Sequence, residues 1–323
     1  MKAIAITANG PALADCAVPQ PGPGEILVRV RACGLNRADA IMASGHMHGS
    51  QGGVGTVLGM EWSGVVEQAG ADVDDLAAGD RVMCSGRGGF AEFAVAHTSR
   101  AARIPDNLDF EQAATFPVAL QTMHDALVTH GGLEPGQSVL IQGASSGVGI
   151  MGMQIAKLLE AGLVIGASTN AERRARLTEL GADLAIDSSE PAWPDHVREA
   201  TGGRGVDIIV DMVSGNAANQ NMQAAAILGR IVNVGRLGGN SAAFDFDLHA
   251  LKRLTYVGVT FRTRSIAEVA EINRRMQADL WPALQAGRLR MPIDSRFPLE
   301  QGVAALEHMR ANRHFGKIVL SVG

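Results

Sequence analysis

The sequence has few of the residues that mark several large protein classes. Of its 323 residues only three are cysteines, Cys16, Cys33 and Cys84, and only one is a tyrosine, Tyr256. An odd, scattered set of cysteines does not form the disulfide framework of a small secreted domain. The first residues show no signal-peptide pattern. We therefore expect reduced thiols and a cytoplasmic protein.

The charge balance and the lack of long apolar runs exclude two classes of binding partner. The formal net charge is −5, so no excess of basic residues favours nucleic acid or an anionic membrane. No apolar run approaches the roughly 20 residues of a membrane-spanning helix. What the chain has instead is 39 glycines and a hydrophobic content of 46%. This balance is typical of tight turns and parallel βαβ packing, and we expect a small molecule as the partner.

One stretch, residues 138–159, predicts a dinucleotide site. An apolar run at 139–141 leads into a glycine-rich turn and then into a helical pattern, which is the phosphate-binding opening of a Rossmann βαβ unit. Glycines let the backbone approach a pyrophosphate, and the helix start offers N–H donors. The predicted contacts are Gly143, Ala144, Ser145, Ser146, Gly147, Val148 and Gly149.

Two other interpretations of this turn exist. Residues 143–147 fit the G-x-S-x-G nucleophile elbow of hydrolases. However, the oxyanion loop of such an enzyme comes from an earlier strand, and residues 132–143 leave too little chain for the intervening elements. A glycine-rich turn can also pack a helix on a sheet and bind nothing.

The next predicted strand, residues 163–167, indicates which cofactor binds. An NAD site has an acidic residue at this strand end, and here the chain has Ser168 and Thr169, with Arg173 and Arg174 close behind. Arginine forks and hydroxyls suit a 2′-phosphate, so we predict NADPH. Ser168 and Thr169 could also cap a helix over residues 172–180, which is compatible with phosphate binding.

The order of elements predicts two domains. Residues 1–118 consist of short strand-like pieces broken by glycine, and strands and helices alternate from residue 119 onward. We predict the α/β class: a Rossmann doubly wound parallel sheet at 119–265, inserted in a β-rich catalytic domain of residues 1–118 and 266–323.

Many short motifs resemble those of the medium-chain dehydrogenase/reductases, specifically the zinc-independent quinone oxidoreductase branch. They lie at residues 34–39, 58–67, 79–82, 113–119, 139–149, 180–183, 205–211 and 316–320. The resemblance implies a GroES-like barrel beside the Rossmann domain, with the substrate in the cleft between them. It also implies a homodimer, because relatives often pair through the edge of the nucleotide sheet.

The resemblance also bears on metal binding. The zinc alcohol dehydrogenases have Gly-His-Glu where this chain has Gly59-Met60-Glu61, and the segment after Cys84 is too short for a four-cysteine lobe. Zinc needs clustered Cys, His or carboxylate ligands. We therefore predict no metal site.

The family's Asn-x-x-Asp-x-Tyr loop is only partly present. Asn36 and Asp39 are kept, but Ile41 and Met47 replace the tyrosines. We predict Asn36 and Asp39 as polar positioning groups and His46 or His48 as the proton donor. Alternatively, the histidines are solvated in a glycine-rich loop, and Asn36 and Asp39 only pin a turn. Further cofactor contacts implied by the resemblance are Val234, Gly235, Phe261 and Lys317.

The leading hypothesis is thus a zinc-independent, NADPH-dependent oxidoreductase that transfers hydride to a quinone or an α,β-unsaturated carbonyl compound. The main alternative is a non-catalytic, crystallin-like NADPH-binding protein. A zinc alcohol dehydrogenase-like enzyme is the third.

Overall fold

The computed structural model describes residues 1–323. The strands are β1 Lys2–Thr7, β2 Gly10–Asp15, β3 Glu25–Gly34, β4 Glu61–Ala69, β5 Arg81–Ser85, β6 Phe93–His97, β7 Ala101–Arg103, β8 Ser138–Ile141, β9 Leu163–Ala167, β10 Leu184–Ile186, β11 Val206–Asp211, β12 Ala225–Asn233, β13 Thr255–Gly258, β14 Ile293–Pro298 and β15 Lys317–Ser321. The α-helices are α1 Arg37–Ala43, α2 Phe110–Ala113, α3 Pro117–His124, α4 Gly147–Leu158, α5 Ala171–Arg174, α6 Trp193–Ala200, α7 Ala217–Ala224, α8 Phe246–Lys252, α9 Ile266–Gln285 and α10 Gly302–Arg310.

The chain divides into two compact units. The first consists of Met1–Val118 and Phe261–Gly323, and the second is Ala119–Thr260. The first boundary coincides with the one predicted from the sequence. The second boundary lies five residues before the predicted one, because residues 261–265 belong to the first unit.

The first unit is built on a mainly antiparallel sheet in the order β14-β15-β3-β4-β5-β7, with β6 also paired to β3. The expected alternation is observed from Val28 to Arg31, where Val28 and Val30 are buried while Arg29 and Arg31 are exposed, whereas Ile26 and Leu27 are both buried. The side chains of Ile26, Val28 and Val30 pack in one core with the fully buried Trp62. A two-stranded hairpin of β1 and β2 completes the strands of this unit.

The second unit contains a six-stranded sheet in the order β10-β9-β8-β11-β12-β13, and every neighbouring pair is parallel. The two halves start from the central pair β8 and β11, and the sheet confirms the predicted doubly wound topology. Strand β8 is buried along its whole length, as expected for a parallel strand covered on both faces.

Two local predictions are revised. Residues 37–43, expected to be loop, form helix α1. The helix expected over 172–180 is only α5, followed by a 3₁₀ turn at Thr178–Leu180. The helix that begins at Pro117 continues past His124 as a π-helical turn, Asp125–His130. No helix of the chain combines the length and apolar character needed to cross a membrane.

Candidate functional site

The predicted phosphate-binding turn has the backbone that this role requires. Gly143 has φ +65°, a left-handed conformation that favours glycine. The turn is anchored to the sheet because Ala144 N donates to Ala167 O at 2.9 Å, at the end of β9. The carboxyl ends of β8 and β9 therefore meet at this turn, which is where ligands of such sheets bind.

Helix α4 begins at Gly147, within the predicted phosphate-binding stretch. Ser146 is its N-cap, and its hydroxyl accepts a hydrogen bond from Gly149 N at 3.1 Å. The N–H groups of Gly147 and Val148 belong to the first turn and have no intrahelical acceptor. They are donors for an anion at the positive end of the helix dipole.

Gly149 allows the turn and the helix to pack closely. A Cβ atom on this residue would lie 2.6 Å from Gly143 O and 2.7 Å from Ala144 Cα. Backbone atoms cannot move aside as a flexible side chain can, so only glycine fits here without displacing the turn.

The contacts of Ser145 and Ser146 do not favour the hydrolase interpretation. The Ser145 hydroxyl lies 3.1 Å from that of Ser168, and the Ser146 hydroxyl donates to Gly143 O at 2.9 Å. A nucleophile elbow instead places a histidine beside the serine.

At the end of β9, one of the two candidate arginines, Arg174, has a structural role. Arg174 forms an ion pair with Asp187 at 2.9 Å and donates to Ser168 O at 2.9 Å, so it ties the ends of β9 and β10 together. The helix cap is Asn170, whose side chain accepts from Arg173 N at 2.9 Å, and not Ser168 or Thr169. Ser168 is buried and Thr169 is exposed.

The turn after β12 lies close to the turn after β11. Val234 N and Gly235 N donate to Asp211 O at 2.8 and 3.1 Å, and a Cβ atom on Gly235 would lie 2.6 Å from Met212 O. The Asp211 carboxylate accepts from Val213 N and Ser214 N at 2.8 and 2.9 Å. Burial raises the pKa of Asp211, and these bonds show that it caps the following turn.

The first unit brings Asn36 and Asp39 together. Asn36 is the N-cap of α1 and Asp39 its third residue, and Asn36 N donates to Asp39 Oδ2 at 2.8 Å. The other oxygen, Asp39 Oδ1, accepts from Gly59 N at 3.1 Å. Asp39 therefore holds α1 against the segment that precedes β4.

Sequence reasoning missed the buried ion pair beside Asn36. Lys317 forms a close salt bridge with Glu61 and also donates to Asn36 Oδ1 at 2.8 Å. Glu61 Oε1 accepts from Asn36 Nδ2 at 2.9 Å, and Oε2 accepts from Val118 N at 2.9 Å. The only sequence signal was the position of both charged residues at the start of a strand, Glu61 in β4 and Lys317 in β15.

This placement revises the prediction for Lys317. Its side chain is 3% exposed, and its ammonium group is engaged with Glu61, Asn36 and Leu35 O. Because all three donor hydrogens of the ammonium group have acceptors within the chain, it has none to donate to a cofactor phosphate. We therefore remove Lys317 from the proposed cofactor contacts and place it in the Asn36 network.

The remaining predicted residues are placed as follows. His46 is exposed just after α1, with its backbone N–H bonded to Ile41 O at 3.3 Å. His48 is half-buried, and its backbone N–H donates to Gln51 O at 2.8 Å. Phe261 is half-buried and begins the second segment of the first unit.

The residues around Met60 do not fit a zinc ion. Cys33 and Cys84 are both fully buried. Cys33 Sγ donates to Gly89 O at 2.8 Å. No three His, Cys, Asp or Glu residues lie close enough together to hold a metal ion.

The buried carboxyl of Asp39 should make stability depend on pH. Burial raises its pKa to about 7, although two backbone N–H bonds oppose this shift. A raised pKa means that the folded state binds more protons than the unfolded state between about pH 4 and 7. The contribution of Asp39 to stability should therefore fall as pH rises through this window, by at most about 1.4 kcal/mol per pH unit, and be constant above it.

The measurement is the free energy of urea unfolding of the wild type and of Asp39→Asn between pH 4 and 8. The difference between them isolates this group, because all other ionisable groups are shared. A difference that stays constant with pH would show that Asp39 is ionised throughout.

Comparisons with known proteins cover nearly the whole chain. The Alcohol dehydrogenase GroES-like domain family matches residues 22–106, and the Zinc-binding dehydrogenase family matches residues 147–277. Quinone oxidoreductase-like protein 2 of Rattus norvegicus is 30% identical over 306 residues, which is 94% of this chain and 87% of the relative. Together these matches confirm the predicted fold class.

Other relatives are much longer proteins. Erythronolide synthase EryA2 of Saccharopolyspora erythraea is 36% identical over 301 residues, which is 92% of this chain but only 8% of the synthase. The chain likewise spans 12% of highly reducing polyketide synthase ALT1 of Alternaria alternata.

Two solved structures have the same fold along their whole length. An alcohol dehydrogenase superfamily protein from Novosphingobium aromaticivorans is 30% identical with a TM-score of 0.90, and the match covers 100% of both chains. The mycobacterial protein Rv1454c, complexed with NADPH, is 28% identical with a TM-score of 0.89, over 99% of this chain and 100% of that one.

Proposed function

The chain belongs to the medium-chain dehydrogenase/reductase superfamily, in its quinone oxidoreductase-like branch, and from this membership we propose that it is a zinc-independent, NADPH-dependent reductase of quinones or of conjugated enones and enals. The observation that carries the proposal is the cradle from Gly143 to Gly149, followed by a strand end with hydroxyls and arginines in place of an acid. The NADPH complex of a structural neighbour supports the same cofactor.

NADPH, when bound, supplies the hydride. Delivery of hydride to the β-carbon of a conjugated carbonyl compound, or to a quinone, leaves negative charge on the substrate oxygen, and the protein must stabilise that charge. Without a metal ion this requires hydrogen-bond donors. The proton that completes the reduction comes from His46, His48 or water, and the choice between the histidines stays a prediction.

We assign the oxyanion donor to Asn36. Lys317 has only donor hydrogens, so the Asn36 oxygen must face it and the amide nitrogen must face Glu61. One of the two Nδ2 hydrogens is used by Glu61, and we propose that the other donates to the substrate oxygen. Glu61 and Lys317 thus fix the orientation of Asn36.

The test is to follow the loss of NADPH absorbance against a panel of quinones, enals and enones, with metal analysis of the same protein sample. Turnover by metal-free protein with at least one acceptor supports the proposal. Tight NADPH binding with no turnover would favour the non-catalytic alternative. Stoichiometric zinc that is needed for activity would favour the alcohol dehydrogenase alternative.

We propose that Arg173 contacts the 2′-phosphate from α5, which follows the end of β9, and that Arg174 holds the ends of β9 and β10 together through Asp187. Arg173→Ala should weaken NADPH binding by about tenfold and leave NADH binding nearly unchanged, since only NADPH carries that phosphate. Titration calorimetry with both cofactors measures this. Arg174→Ala is the matched control, and it should lower the free energy of unfolding because it breaks the ion pair with Asp187. Equal losses for NADH and NADPH in Arg173→Ala would contradict the assignment.

We also propose a homodimer, because β13 is the edge strand of the nucleotide sheet and can pair with a second copy. Light scattering should give about twice the chain mass of 33.8 kDa. A mass equal to one chain at all concentrations would reject the dimer. The cytoplasmic location expected from the cysteines stays a prediction.

A further inference from the structure

A group of arginines surrounds the loop that contains Gly49 and Ser50, within the first unit. Arg87 Nη2 donates to Ser50 Oγ at 3.2 Å. On the neighbouring residue, a Cβ atom built on Gly49 would lie 3.1 Å from Cβ and 3.3 Å from Cγ of Arg262. Arg87 and Arg262 therefore flank two consecutive residues of one loop, and both arginines are exposed.

The pairing of Cys84 with Ala101 between β5 and β7 brings the segment after Cys84, which carries Arg87, close to the third arginine of this cluster, Arg100. It is half-buried, and it forms no hydrogen bond or ion pair within the chain. Burial, and after it the nearby charge of Arg87, lowers the pKa of Arg100. A guanidinium stays protonated even so. The fold thus keeps a partly desolvated positive charge next to a second one.

Two neighbouring guanidinium groups, one of them partly buried, repel each other unless an anion binds between them. Partly buried charges in proteins are normally paired, and neither Arg87 nor Arg100 is bonded to a carboxylate. The chain as a whole is acidic, with a net charge of −5, so a positive cluster is a local feature and not an average property. Perturbed charged groups of this kind concentrate at functional sites.

The charge of the cluster indicates which anion fits. The fork of an arginine matches the oxygens of phosphate and carboxylate. Several guanidinium groups around one loop favour a dianion over a monoanion, and a phosphate monoester carries about −1.5 to −2 at neutral pH.

We propose that Arg87 and Arg100 bind a phosphate group carried by the substrate. The cluster borders the loop just after His46 and His48, the two proton donors of the proposed function, and for this reason we assign the anion to the substrate. The existence of the anion site stands on the arginines alone, whereas its assignment to the substrate rests on the proposed reductase function. The expected substrate class is a conjugated carbonyl compound or quinone with a phosphate-bearing tail.

The first test uses inorganic phosphate as the probe. Titration calorimetry on protein saturated with NADPH keeps phosphate out of the cofactor cradle. Wild-type protein should bind phosphate more tightly at pH 7.5 than at pH 5.5, because phosphate becomes dianionic between them. Arg100→Gln and Arg87→Gln should each weaken binding by about tenfold. Arg204→Gln, which changes an exposed arginine of the second unit, is the matched control and should bind as the wild type does.

No phosphate binding by the wild type, or equal binding by all variants, would overturn the anion site. If the protein does not bind NADPH, the same titration without cofactor still tests the cluster, so a failure of the proposed function is recognised separately.

The second test asks whose phosphate is bound. The acceptors are cinnamaldehyde and its para-phosphate ester, and the readout is the ratio of their kcat/KM values. The wild type should prefer the phosphate ester by about tenfold, and Arg100→Gln should bring the ratio close to one with unchanged NADPH affinity. An Arg100→Gln protein that loses NADPH affinity as strongly as phosphate affinity would assign the cluster to the cofactor and reject the substrate assignment.

Discussion

Lys317→Met is expected to lower the free energy of unfolding by about 3–5 kcal/mol, because it leaves the buried Glu61 carboxylate without its cation. Glu61 is fully buried and the Lys317 side chain is 3% exposed, so water cannot replace the missing charge. Two hydrogen bonds to Glu61, from Asn36 Nδ2 and Val118 N, remain but carry no full charge. Urea unfolding at neutral pH measures the effect.

Two variants control this experiment. Lys157→Met breaks an ion pair with Asp183 in which both side chains are more than a third exposed, and it should cost at most about 1 kcal/mol. Combining Glu61→Gln with Lys317→Met removes the buried negative charge and should recover part of the loss. If Lys317→Met were no more destabilising than Lys157→Met, the buried pair would have no role in stability.

Lys317→Met should also affect turnover. Asn36 is held by both members of the pair, so a protein that survives Lys317→Met should show a lower kcat with a smaller change in NADPH affinity. The cofactor cradle lies in the second unit and shares none of these bonds.

The parts of the fold that follow from local sequence were predictable. The turn at 143–149 combines an apolar run, closely spaced glycines and a helical pattern within about 20 residues, and this spacing leaves few alternatives. The parallel sheet follows from the alternation of strands and helices. The ion pair of Arg174 could not be predicted from the sequence, because its partner Asp187 lies on the neighbouring strand end.

The network around Asn36 depends on contacts between residues that are far apart in the sequence. Lys317 and Glu61 are 256 residues apart, and no local pattern brings them together. The helix α1 was missed because it has only seven residues. The spacing of Asn36 and Asp39, an N-cap residue followed three positions later by an acid, was the signal that could have identified it.

Gly149→Ala is expected to weaken NADPH binding by about 100-fold, which corresponds to about 2.7 kcal/mol. The new Cβ atom would lie 2.6–2.9 Å from three backbone atoms of Gly143 and Ala144, so the turn must move away from α4. This displacement separates the first-turn N–H groups of Gly147 and Val148 from the position that the pyrophosphate occupies. Titration of NADPH fluorescence measures the loss.

Gly152→Ala is the matched control on the same helix. Its Cβ atom would meet only side-chain ends, Met123 Sδ at 2.9 Å and Ile141 Cδ1 at 3.4 Å, which can adjust. It should therefore reduce stability slightly and leave NADPH affinity close to that of the wild type. Equal affinities for the two alanine variants would mean that the turn does not grip the diphosphate. In that case the glycines serve helix packing alone, and the proposed cofactor site would have to be abandoned.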